Sequence, residues 1–240
     1  MSAVSVQSEK QLKFGNAELD RRLGGVPRGS LTLIEGANDC GKTSFTQQIA
    51  YGVVSNDLKL FYISTEDTPK GIIKNMESLN WDVSSQYIQG NFKITSINML
   101  GLDWEEEISK YYLVSLANFI KKRSEKMDYV IIDSITQLVT HANLSDVLDF
   151  FKFCRNLIEE GKSVALTLHP YAMSADLLLR IRSICDCQFT LEKKVFRDKN
   201  VLSLTINKLK GATRSAGDMI TFEVSPSYGL KILPFTSSKG

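Results

Sequence analysis

Apolar positions recur along this chain with two different periods. Short, nearly continuous runs of aliphatic, β-branched and aromatic residues occupy 31–34, 60–63, 129–132 and 164–168. Runs of that length, bounded by polar or glycine-rich turns, predict strands buried on both faces. They extend to strands at 31–36, 60–65, 128–134 and 163–169, with a shorter candidate at 94–97. Between them the apolar spacing becomes helical and predicts helices at 43–51, 70–80, 105–124, 144–160 and 174–184. The 105–124 segment opens with acids and closes with bases, which suits the helix dipole. Asn143 or Ser145 is placed to cap the helix that follows. Nearer the N-terminus, Asn16 can cap a short helix reaching Leu23. Gly24 and Gly25 end it, and Pro27 with Gly29 turns the chain into the first strand. Beyond residue 185 the strands crowd together, at 188–192, 201–206, 221–224 and 229–232. Alternation followed by crowding predicts an α/β fold, a mainly parallel central β-sheet flanked by helices with a C-terminal antiparallel edge. Residues 1–240 read as a single domain, without repeat or linker, and 1–11 as a loose polar N-terminal arm.

The first strand runs into a loop framed by glycines. Gly36, Ala37, Asn38, Asp39, Cys40, Gly41, Lys42, Thr43 and Ser44 satisfy the G-x-x-x-x-G-K-[ST] spacing in full, with a strand before and a helix after. The glycines let the backbone curl so that successive N–H groups converge on one oxyanion cluster. The helix N-terminus adds free N–H groups and the positive end of its dipole. Lys42 supplies a full charge for the outer phosphates, and the Thr43 hydroxyl suits a Mg²⁺ ligand. Asp133 closes an apolar strand, the Walker B arrangement, in which a carboxylate holds Mg²⁺ directly or through water. The cofactors expected are therefore ATP and Mg²⁺.

Composition narrows the partners. A formal net charge of +2 gives no bias toward nucleic acid or acidic lipid. Cys40, Cys154, Cys185 and Cys187 lack paired C-x-x-C spacing, so Cys185 and Cys187 read as small buried residues rather than half a metal site. No charged-then-apolar leader opens the chain, and no apolar run reaches the ~18 residues of a membrane span. A cytoplasmic protein with reduced thiols is expected.

The approach to the phosphate loop carries a longer pattern. Glu18-Leu19-Asp20, Leu23-Gly24-Gly25, Pro27 and Gly29-Ser30, followed by the loop itself, resemble the RecA/KaiC superfamily of ATPases. The resemblance implies a RecA-like P-loop NTPase core. It implies that Glu66, at the end of the second strand, is a candidate general base for the attacking water, with Asp67 beside it. It also implies that Lys208 and Lys210 form the K-x-K element by which KaiC-type rings reach the γ-phosphate of a neighbouring subunit. Alternate strand residues share a face, so these two lysines should point together. His169, ending the 163–169 strand, is either a sensor of phosphate state or a satisfied structural histidine.

One feature departs from the superfamily pattern. The loop centre is Asn38-Asp39-Cys40, where small neutral residues are usual, and a carboxylate beside a triphosphate adds repulsion unless it points away or meets a cation. The modified loop and the single-domain length resemble the FlaH family of archaellum ATP-binding proteins. That resemblance implies a ring, with a hexamer expected, at the cytoplasmic face of a membrane-embedded motor, in contact with the motor ATPase FlaI and the scaffold FlaX. It further implies slow or absent hydrolysis. The alternative is a catalytically active KaiC/RadA-like ATPase acting in DNA recombination or signalling. Such a protein should show basic DNA loops, whereas the loop expected at 136–145 has no Lys or Arg and only His141.

Overall fold

The computed structural model describes residues 11–97, 99, 105–196, 199–210, 218–226 and 228–233. The arm up to residue 10, and Gly211 to Arg214 after the two lysines, lie outside the described residues. Gln11, expected in the arm, instead belongs to β1 (Gln11–Leu12), which pairs antiparallel with β2 (Val26–Pro27). The reason is burial: Leu12 is enclosed in the same core cluster as Leu23 and Val26.

The main sheet contains β3 (Leu31–Gly36), β4 (Leu60–Ser64), β5 (Phe92–Ser96), β6 (Tyr129–Asp133), β7 (Ser163–Leu168), β8 (Cys187–Phe196), β9 (Lys199–Leu209), β10 (Met219–Ser225) and β11 (Gly229–Ile232). Their order is β5-β4-β6-β7-β3-β8-β9-β10-β11. Every pairing from β5 through β8 is parallel, and every pairing from β8 through β11 is antiparallel. This is the α/β sheet with a C-terminal antiparallel edge that the strand spacing predicts.

The helices are α1 (Ala17–Leu23), α2 (Lys42–Ser55), α3 (Pro69–Ser78), α4 (Ser84–Ile88), α5 (Glu106–Arg123), α6 (Thr136–Thr140), α7 (Leu144–Glu159) and α8 (Ala175–Ile184). Two core clusters lie on the two faces of the sheet. Phe45 and Ile49 of α2 pack with Ile72 and Met76 of α3 on one side. Leu116 of α5, Phe151 of α7 and Ile181 of α8 pack on the other. Both faces of β3, β4, β6 and β7 are therefore covered, which is why these strands are apolar without alternation.

Caps set the helix starts. The Asn16 side chain accepts from the Leu19 N–H, Thr68 from Gly71, Asn143 from Asp146 and Ser174 from Leu177. Asn143, not Ser145, is thus the cap of α7. The 136–145 loop expected from sequence is corrected: its first five residues form α6, and Leu144 and Ser145 already belong to α7. Leu138 and Val139 drive that local helix by burying against the α5 and α7 core. Helix α4 carries no buried residue and no readable periodicity, so the sequence does not signal it. The β8–β9 hairpin is longer than expected because the two strands pair from Cys187↔Leu209 out to Phe196↔Lys199.

One buried charge ties the sheet to its helices. Glu35 on β3 is 1% exposed and receives two hydrogen bonds from Arg182 of α8, at 2.9 and 2.6 Å. Removing one partner of such a pair strands the other charge in the interior. We expect Arg182→Ala to cost about 3 kcal/mol in denaturant unfolding, the low end of the range for buried pairs because Arg182 is partly exposed. Loss of less than about 1 kcal/mol would show that water reaches Glu35 instead.

Candidate functional site

In an open parallel sheet, ligands bind beyond the carboxyl ends of the strands. Here the ends of β3, β4, β6 and β7 open into one cavity of about 660 Å³, lined by Lys42, Thr43, Glu66, Asp133, Gln137 and His169 among others. Its size suits a nucleotide-scale ligand.

The phosphate loop wraps the start of α2. Gly36 has to be glycine, because a Cβ there would collide with Cys40 Sγ and the Leu191 carbonyl oxygen. Gly41 caps α2 at φ +90°, a left-handed conformation that glycine adopts without strain. Cys40 fills the loop's interior at 1% exposure, and burial pushes its thiol upward, opposed by the Lys42 charge. Lys42 is 7% exposed, and its ammonium donates to the carbonyls of Gly36 at 2.9 Å and Ala37 at 2.6 Å. The first-turn N–H groups of α2 have no intrahelical acceptor and are available to an anion. Asn38, Asp39, Thr43 and Ser44 line the same cavity. Asp39, at φ +53°, is largely exposed and lies 3.7 Å from Lys193 Nζ on β8. The acid at the loop centre therefore sits at the exposed rim of the cavity with a cation nearby, which offsets part of its repulsion toward phosphate.

Asp133 is 5% exposed and surrounded by hydroxyl donors. Thr167 Oγ1 donates to one carboxylate oxygen at 2.6 Å and the Tyr62 hydroxyl to the other at 2.7 Å; Thr46 Oγ1 lies 3.3 Å from that second oxygen, its single proton lying closer to the Thr43 carbonyl at 2.9 Å. Burial first, then the neighbouring carboxylate, pushes the Tyr62 phenol well above its ordinary range, so it remains a donor. An anionic group so held beside Lys42 and Thr43 fits a divalent cation riding on phosphates. Glu66 is exposed in the cavity wall and accepts from Ser134 Oγ at 3.1 Å, while Thr68 rather than Glu66 caps α3.

A family model described as "ATPase: KaiC" matches residues 12–237. The archaeal flagellar ATP-binding protein FlaH of Sulfolobus acidocaldarius is 32% identical over 228 residues, covering 95% of this chain and 99% of that one. This chain belongs to the FlaH family of KaiC-type ATPases. The FlaH of Methanocaldococcus jannaschii is 29% identical over 95% of this chain and 97% of its own length. The crystal structure of the flagellar accessory protein FlaH from that organism superposes with a TM-score of 0.80 at 26% identity, covering 94% of this chain and 99% of that one.

Two lysines do not join the cavity of this FlaH-family chain. Lys208 on β9 pairs with Gln188, which is level with Leu33 on β3, and the Lys210 N–H bonds to the Asp186 carbonyl near Leu31. They sit about 10 and 16 Å below Gly36 along the strand direction, at ~3.3 Å per residue. Lys208 Nζ donates to the Cys185 carbonyl at 2.5 Å, and Lys210 Nζ contacts Asp186 at 3.4 Å. Both ammonium groups reach the Cys185–Asp186 segment, although Lys210 lies just past the end of β9 and so shares no strand face with Lys208. All four cysteines are buried and free, and no group of metal-ligating side chains of the Cys/His type gathers among the described residues.

Some of the site is silent in the sequence. Tyr62, Thr46 and Thr167 read as ordinary strand and helix residues; the one available signal is a hydroxyl inside a buried run. Leu202, Val224 and Tyr171 reach the cavity from distant segments. His169 is 7% exposed, and among the described residues its Nδ1 has no protein partner. A fully satisfied structural histidine would have one. Burial, then the nearby Lys42 charge, lowers its pKa, opposed by Asp133. The unfolded chain therefore takes up this proton first as pH falls, and the stability contributed by neutral His169, complete above about pH 6.5, is lost as pH drops through the lower folded value. We expect an imidazole NMR titration below pH 6.5 in the folded protein, and a shallower acid-side loss of stability in His169→Gln. A folded value above 6.5 would contradict the assigned surroundings.

Proposed function

We propose that this chain is an ATP-binding component of the archaellum motor, in which bound nucleotide governs assembly and partner docking and turnover is slow. The observation that carries this is the convergence of Lys42, Thr43, Asp133 and Glu66 on one cavity, in a chain matching FlaH over nearly its whole length. Lys42 and the α2 N-terminus would bind the phosphates; Thr43 and Asp133 would hold Mg²⁺, which neutralises phosphate charge. Glu66, aligned by Ser134, would accept a proton from water. Its single side-chain hydrogen bond and its exposure support inefficient rather than fast hydrolysis. Asp39 no longer argues for slowness, since Lys193 faces it.

Lys208 and Lys210 lie outside their own chain's cavity, so any contact they make with a nucleotide would be to a neighbour's. The ring with shared sites, a hexamer docking FlaI and FlaX at the cytoplasmic face of the motor, rests on the FlaH resemblance. No helix among the described residues is long and apolar enough to cross a membrane. ATP that binds the assembled state better would favour it by mass action. Glu66 facing the cavity also keeps the catalytic reading, a KaiC/RadA-like ATPase, open to measurement.

Lys42→Ala should lower Mg-ATP affinity at least about a hundredfold by calorimetry, since a buried charge–phosphate contact of roughly 3 kcal/mol is lost. Equal affinity would remove the site. Sedimentation with and without Mg-ATP should show ATP-dependent association that weakens in a Lys208→Ala, Lys210→Ala double variant. Phosphate release near ~10 s⁻¹, or acceleration by single-stranded DNA, would favour the enzyme instead.

A further inference from the structure

Strand β5 stands at one edge of the sheet and, among the described residues, pairs only with β4. Among the described residues its outer side carries backbone N–H and C=O groups without a ladder partner, the template on which an extended peptide can add as a strand. A furrow runs along this edge, bordered by α5 and, at one end, by Tyr87 of α4. Two recesses of about 280 and 270 Å³ lie along this furrow and share Thr95. Phe61 and Phe92 line the first, with Lys93 and Arg123 at its rim. Leu116 and Phe119 line the second. The Arg123 guanidinium lies 5.5 Å from the Phe119 ring centroid, so the two recesses adjoin. Lys93 and Arg123 are both exposed, and neither forms an ion pair among the described residues.

We propose that this furrow docks an extended acidic segment of a partner protein, added as a further strand to β5. The free edge selects an extended backbone. Side chains on alternate residues of a strand fall on one face about 7 Å apart, so two apolar ones can occupy successive recesses. The two uncompensated cations select carboxylates on the segment's flank. A second copy of β5 is a poor occupant, because edge pairing would bring Lys93 toward its own counterpart. The chain's own residues 1–10 are poor as well, since Glu9 is offset by Lys10. None of these furrow residues lines the nucleotide cavity, so the proposal stands apart from the nucleotide reading.

The test uses the full chain and three fluorescent synthetic peptides: one alternating valine and glutamate, one alternating valine and lysine, and one copying residues 1–10. Anisotropy measures affinity, and amide hydrogen exchange locates the contact. The acidic peptide should bind and slow exchange at residues 92–97. A Lys93→Glu, Arg123→Glu double variant should weaken it by roughly tenfold or more and strengthen the basic peptide, while Mg-ATP affinity stays unchanged. Equal binding of acidic and basic peptides, no binding, protection elsewhere, or preference for the 1–10 peptide would each overturn the proposal. Loss of ATP binding in Lys42→Ala bears only on the nucleotide site, so the two readings fail separately.

Discussion

A carboxylate buried at the ends of the central strands is the constraint on which this structure depends. Asp133 is 5% exposed, and burying an ion without compensation is prohibitive. Compensation comes from two hydroxyl donors on two other elements, Tyr62 on β4 and Thr167 on β7, with Thr46 of α2 packed 3.3 Å away. One side chain therefore requires β4, β6 and β7 to meet in a single register. The same register sets the ends of those strands side by side, and the cavity follows from it. Function and fold share this point: the charge that is costly to bury is the charge a divalent ion would use.

The phosphate loop is held by packing as much as by its glycines. Cys40 occupies its interior and leaves no room for a Cβ at Gly36, while Leu202 and Phe222 close on Gly41 from the antiparallel edge. The late strands thus do more than finish the sheet. They form one wall of the site, and Lys193 on β8 answers the acid at the loop centre. Glu35 and Arg182 do the same beneath the loop, joining β3 to α8 through a buried two-bond contact. An unusual loop composition is accommodated by residues far away in sequence.

Much was legible from local pattern. Buried apolar runs marked β3, β4, β6 and β7, because strands covered on both faces leave no polar alternation. Cap residues marked α1 and α7, at Asn16 and at Asn143 or Ser145, through the unsatisfied N–H groups that any helix start must resolve; the caps Thr68 and Ser174 emerged only from the structure. The phosphate loop was legible because its chemistry needs fixed residue types at fixed spacing within one segment. Helices α4 and α6 were not: each is five residues long, too short for periodicity, and α6 exists because Leu138 and Val139 find a core to enter.

By itself the sequence determined the main strands and longer helices, the parallel-then-antiparallel plan, the glycine-framed loop and the acid at the end of β6, since each rests on residues close together in the chain. Only the tertiary structure decided which hydroxyls meet that acid, which cation lies near Asp39, that His169 lines the cavity while its buried Nδ1 finds no partner among the described residues, and that Lys208 and Lys210 lie at the far end of the sheet from Gly36. Those outcomes depend on strand order and register, which bring together residues such as Tyr62, Asp133 and Thr167 whose separation in the chain carries no local signal.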